Sequence, residues 1–133
     1  MRVALDTNVI VSALATRGLC ADLFQAVLAE HDLIVGETVL IELRTVLRRK
    51  LRLPDATIDA LEAFVLRQAI VVKAEPPAAT RPLDVGDASV LAEAAAGAAD
   101  VLVTGDQDLL NAENPPVKIV PPRKLWELIR RAP

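Results

Sequence analysis

The stretch that most constrains this chain is its opening one. Arg2 to Leu5 is an apolar run too short for a helix, and it stops at Asp6-Thr7-Asn8 before Val9 restarts the apolar pattern. Such a run reads as a buried strand handing over to a helix, with a carboxylate at the junction. The same order of events recurs late in the chain, where Val101 to Val103 gives way to Thr104-Gly105-Asp106-Gln107-Asp108 and then Leu109-Leu110. In an open α/β sheet, ligands bind in the crevice beyond the carboxyl ends of the strands, so Asp6 and Asp106 stand at the working edge. Aspartate and threonine are also favoured helix caps, and capping alone accounts for either position taken singly.

Between and around these strands the pattern keeps alternating. Val9 to Leu14 is helical, Ala15-Thr16-Arg17-Gly18 is a break, and Leu19 to Glu30 carries Leu19, Leu23, Ala26, Val27 and Leu28 at helical spacing. Leu33 to Val35, closed by Gly36, is a second strand. Helices follow over Glu37 to Leu53 and from Pro54 through Ile58, Leu61, Phe64, Val65 and Leu66, and Ala69 to Val72 is a third strand. The proline-rich stretch Glu75 to Pro82 reads as a loop and Ala88 to Ala98 as an alanine-rich helix. After Val101 to Val103, Val117 to Val120 is a fifth strand, and Pro122 to Ala132 is a helix docking Leu125, Trp126 and Ile129. This alternation predicts a three-layer α/β fold, a mainly parallel five-stranded sheet with helices on both faces, formed by residues 1–133 as a single domain.

Composition narrows the chemistry. One cysteine, Cys20, and one histidine, His31, leave no thiolate zinc cage and argue against a cysteine–histidine pair and a serine nucleophile served by histidine. Cys20 lies among small and apolar neighbours and reads as a core residue; His31 closes a helix, where it suits the dipole. Any chemistry therefore runs on carboxylates. The net charge of −3 draws no polyanion to the molecule as a whole, and with two phenylalanines, one tryptophan and no tyrosine there is no base-stacking platform, so contact with nucleic acid rests on local basic patches. Charges interrupt every long apolar run, and the first residues lead straight into a strand; a soluble, cytoplasmic protein with no membrane segment is expected.

Two further acids join Asp6 and Asp106. Asp87 stands at the start of the alanine-rich helix. Glu42 lies well inside a helix, at the seam between an apolar face (Val39, Leu40, Leu43, Val46, Leu47, Leu51) and a basic one (Arg44, Arg48, Arg49, Arg52), so no capping role explains it. A solvated glutamate paired with an arginine does. If these acids meet at one edge, their repulsion calls for protons or cations, and an oxygen-only ligand set suits Mg²⁺ or Mn²⁺. An ion of this kind can generate a nucleophile from water and stabilise charge on a phosphodiester.

The motifs Leu5-Asp6-Thr7-Asn8-Val9, Glu42-Leu43-Arg44-Thr45-Val46-Leu47, Asp84 to Leu91 followed by Ala92, and Ala99 to Leu110 resemble, in order and spacing, those of the PIN-domain ribonucleases, particularly the VapC-like toxins of bacterial toxin–antitoxin pairs. The resemblance spans nearly the whole chain. It implies metal-dependent hydrolysis of RNA, with Asp6, Glu42, Asp87 and Asp106 as catalytic, metal-binding acids, Asp108 as a further metal ligand, and Asn8 and Thr104 as polar supports. Relatives often carry consecutive aspartates where this chain has Gly86-Asp87. Asp87 is preferred to Asp84 because it lies nearer the helix start. A cognate antitoxin and a homodimer are the partners implied. Arg49, which projects closest to Glu42, with Arg48 and Arg44, would contact RNA phosphates; a solvated helix face is the competing reading.

Two other classes compete. A receiver or phosphatase domain also places aspartates at strand ends, but Asn8 stands where such a phosphatase wants its second aspartate, and the lysine of a receiver has no counterpart. A non-catalytic PIN-like binding or scaffold module remains. Such modules usually lose acids, whereas this chain has one at every expected position.

Overall fold

The computed structural model describes residues 1–75 and 85–131. Five strands, β1 (Arg2–Leu5), β2 (Asp32–Gly36), β3 (Ala69–Val72), β4 (Val101–Val103) and β5 (Lys118–Val120), form one parallel sheet in the order β3-β2-β1-β4-β5. Among the described residues seven helices alternate with them: α1 (Thr7–Ala15), α2 (Leu19–Glu30), α3 (Glu37–Arg49), α4 (Asp55–Gln68), α5 (Val85–Ala96), α6 (Gln107–Leu110) and α7 (Pro122–Arg131).

A parallel strand covered on both faces must be apolar throughout, and the three inner strands obey this. Val3, Ala4 and Leu5, Leu33 to Val35, and Val101 to Val103 are all buried, whereas edge strand β3 leaves Ile70 and Val71 more than 40% exposed. The chain steps outward from β1 to β2 and β3, then returns to the other side of β1 for β4 and β5. Helix α3 packs on α1, α4 and β2, while α5 packs across β2, β3 and β4 and also meets α3. The order reverses between β1 and β4. In a doubly wound sheet that switch point opens the ligand crevice, and an aspartate follows each strand there, Asp6 directly after β1 and Asp106 three residues after β4. No single helix among the described residues is long and apolar enough to cross a membrane.

The α/β alternation and five-stranded sheet follow the sequence pattern; several boundaries do not. Helix α1 begins at Thr7 rather than Val9, because Asp6 caps it directly. Helix α3 stops at Arg49, short of Leu53. The residue before a proline is disfavoured in helical geometry, and ahead of Pro54 the chain turns through Arg52 at φ 53°, the Leu53 amide bonding back to the Leu47 carbonyl at 3.1 Å. That turn leaves Leu51 outside the apolar face and 39% exposed; Leu66 on α4 is also exposed. Pro54 precedes α4 as its cap residue. Helix α5 starts at Val85, so Asp87 lies within its first turn. The loop expected over Glu75 to Pro82, together with Asp84, falls almost wholly outside the described residues.

The turn after α5 fits closely against the sheet. A Cβ built on Gly97 would come 2.7 Å from Ile34 Cγ2 and 2.9 Å from Val72 Cγ2. Ile34 is fully buried and cannot swing aside. Gly97→Ala is expected to destabilise the fold by about 1–3 kcal/mol through overpacking. Chemical unfolding would measure this, and a variant as stable as the parent would refute the close fit.

Candidate active site

Asp6 ends β1 and opens α1. Its Oδ1 accepts from the Thr7 amide at 2.8 Å, and its Oδ2 accepts from Thr104 Oγ1 at 2.6 Å. The capping reading is therefore correct and incomplete, since one oxygen caps while the other is held by the residue after β4. Thr104, fully buried, also accepts from the Asp106 amide at 3.0 Å, so one hydroxyl connects the two strand-end aspartates. Asp106 caps α6, accepting from the Asp108 amide at 2.9 Å, and Asn8 Oδ1 accepts from the Gly105 amide at 3.3 Å, tying the loop after β4 to α1. Asn8 and Thr104 are both placed to support the two strand ends.

Carboxylate oxygens of Asp87, Asp106 and Asp108 lie within 4.8 Å of one another. Asp87 and Asp106 are half-buried and Asp108 is exposed. Asp6 is 6% exposed; burial raises its pKa above the ordinary 3.8, and the Asp106 charge adds to the rise, against the lowering by the Thr104 and Thr7 bonds. Glu42 reaches the same network from α3, its Oε2 accepting from Thr7 Oγ1 at 3.1 Å. Thus Glu42, Thr7, Asp6, Thr104, Asp106 and Asp108 form one connected chain of polar contacts along the sheet edge, with Asp87 beside its end. No salt bridge among the described residues reaches Asp6, Asp106 or Asp108. A donor set of hard oxygens, partly desolvated and without a basic partner at those three, fits Mg²⁺ or Mn²⁺.

The basic face of α3 sits otherwise. Arg44 pairs with Asp59 at 2.9 Å and Glu62 at 3.2 Å, and Arg48 pairs with Asp55 at 3.4 Å, all on α4. Arg49 is exposed, two turns beyond Glu42 and about 10 Å further along the axis. The acids are brought together; these arginines are directed to α4 or to the far end of α3.

The sequence reading missed Glu93. On α5 and only 4% exposed, it accepts from the Thr38 amide and from Thr38 Oγ1 at 2.8 Å, and burial, reinforced by Glu37 and Glu42, raises its pKa. A glutamate among the alanines of α5 was the available signal, but its partner stands 55 positions away.

Because the pKa of Asp6 is raised, the folded chain holds its proton more tightly than the unfolded chain. The stability this confers is present below 3.8 and is lost as pH rises through the raised value. Asp6→Asn keeps an acceptor for the Thr7 amide but carries no charge. In chelator, its unfolding temperature should gain on that of the parent as pH is raised from about 4 to about 7. A difference independent of pH would contradict the assignment.

A family model described as PIN domain matches residues 2–108. The fold is similar to that of a chain in the crystal structure of VapBC2 from Rickettsia felis bound to a DNA fragment from their promoter, with a TM-score of 0.67 and 15% sequence identity over 91% of this chain and 98% of that one. No curated protein sequence matches. With residues 2–108 matched and acids gathered where β1 and β4 end, the chain belongs to the PIN domain family.

Proposed function

We propose that the protein is a metal-dependent endoribonuclease, the toxin of a toxin–antitoxin pair, working in the cytoplasm with a cognate antitoxin as its inhibitor. The observation that carries the enzymatic reading is the meeting of Asp87, Asp106 and Asp108 within 4.8 Å, next to the buried Asp6. These four, with Glu42 alongside, are the residues that would hold Mg²⁺ or Mn²⁺. Such an ion supplies Lewis-acid stabilisation of a phosphodiester and lowers the pKa of a water molecule.

The chain's own groups prepare that site. Thr104 and the Thr7 amide fix both oxygens of Asp6, so it presents a preoriented charge rather than a mobile one. Thr7 does the same for one oxygen of Glu42. Asp108, the most exposed acid of the three, faces solvent where a substrate strand would enter.

RNA phosphates would be met on the basic side of this edge. Arg123 and Lys124 open α7 directly after β5, whose Val120 carbonyl accepts from the Thr104 amide at 3.1 Å, and both side chains are exposed. Arg49 would lie further along the path, and Arg48 and Arg44 would join it only by giving up their α4 partners. Exposed Ile41, Leu66, Ile70 and Val71 offer apolar surface in support of a homodimer.

The test is cleavage of a mixed pool of single-stranded and structured RNAs with Mn²⁺, Mg²⁺ or chelator. Metal-dependent cleavage is expected, abolished by Asp106→Asn. Thr104→Val, which leaves every carboxylate in place but releases Asp6, should slow it by about 10–100-fold. Cleavage that survives chelator or Asp106→Asn would overturn the mechanism.

A further inference from the structure

Helix α3 begins without a capping side chain of its own, since its cap residue is Gly36. The first amides of a helix have no partner within it and need one from elsewhere. Here the partner is Glu93 of α5, whose Oε1 and Oε2 lie 3.1 and 3.2 Å from the Thr38 nitrogen, while Oε2 accepts from Thr38 Oγ1 at 2.8 Å. Position 36 is shaped to admit that carboxylate. A Cβ there would overlap Glu93 Oε1 and stand 2.8 Å from its Cβ and 2.9 Å from its Cδ.

This is a costly way to cap a helix. A serine or aspartate at position 36 would satisfy the same amides locally, whereas Glu93 is buried and is repelled by Glu37 and Glu42. What a local cap cannot do is join two helices. Thr38 lies one turn before Glu42 on the same face of α3, and Glu93 lies on the helix whose first turn holds Asp87. We propose that Glu93 is a positioning residue, which by capping α3 from α5 fixes Glu42 relative to Asp87 and so sets the affinity of the acidic site for a divalent cation. The proposal rests on the metal-dependent reading above.

Two readouts on the full chain test it, namely amide hydrogen exchange over the first turn of α3 and Mn²⁺ affinity by calorimetry well below the unfolding temperature. Glu93→Ala should speed exchange at residues 37–40 and weaken Mn²⁺ binding by about 10–100-fold. Glu93→Gln keeps an acceptor for Thr38 and should bind Mn²⁺ nearly as the parent does. Val27→Ala, which truncates a fully buried side chain on α2, a helix that packs on α1, α7 and β2, is the control for general instability, and its Mn²⁺ affinity should be unchanged. If Glu93→Ala does not fold, Thr38→Val removes one donor alone and should still weaken Mn²⁺ binding several-fold.

Faster exchange with unaltered Mn²⁺ affinity would reduce Glu93 to a structural cap and overturn the proposal; unaltered exchange would overturn the clamp itself. A parent protein that binds no Mn²⁺ would sink the metal-dependent reading and this inference with it. That result is distinct from a parent that binds and a variant that binds equally well.

Discussion

Mutual repulsion among carboxylates at one sheet edge is the constraint around which this structure is arranged. Two unit charges at 4.8 Å repel by about 1 kcal/mol in water and about 3 kcal/mol at the effective dielectric of a protein surface. The fold meets this cost with specific bonds. Asp6 is held by an amide and a hydroxyl, Asp106 by the start of α6, Glu42 by Thr7 and Glu93 by the start of α3. For Asp6 and Glu93 these bonds lower the pKa against the larger rise that burial imposes.

The sheet makes the arrangement possible at little conformational cost. β1 and β4 are neighbours in register, Leu5 opposite Val103, so Asp6 and Thr104 arrive side by side once the strands pair. Their burial is that of ordinary core strands, and the polar residues begin where the apolar run ends. Stability and function thus come from adjacent residues of the same segments, with Leu5 and Val103 in the core and Asp6 and Thr104 at the edge.

This division explains what could be read from the sequence. Short apolar runs that end in Asp-Thr or Thr-Gly-Asp signal buried parallel strands and the residues at their carboxyl ends, so the places of Asp6 and Asp106 were legible, as was the order of elements, while the supporting roles of Asn8 and Thr104 were implied by the resemblance to the PIN-domain motifs. Glu42 stood out because an acid at the seam of an amphipathic helix has no capping role, and the resemblance to the PIN-domain motifs made it a site candidate over a solvated, arginine-paired glutamate. Glu93 was not, because its meaning depends on Thr38 and Gly36, which only tertiary packing brings to it. For the same reason a helical projection shows Arg44 and Arg48 as a free basic face; it contains no α4, and Asp55, Asp59 and Glu62 lie there. The early end of α3 reflects Pro54 acting on the residues before it, a local effect that outweighed the apolar period carried by Leu51.

The central claim is that these acids form one divalent-cation site at the switch point between β1 and β4. The most direct measurement is anomalous diffraction from crystals of the protein grown or soaked with Mn²⁺. The account calls for Mn²⁺ density among Asp87, Asp106 and Asp108 with Asp6 adjoining, absent from crystals of Asp106→Asn. Well-ordered acids with no Mn²⁺ between them, or Mn²⁺ bound only elsewhere on the surface, would contradict it.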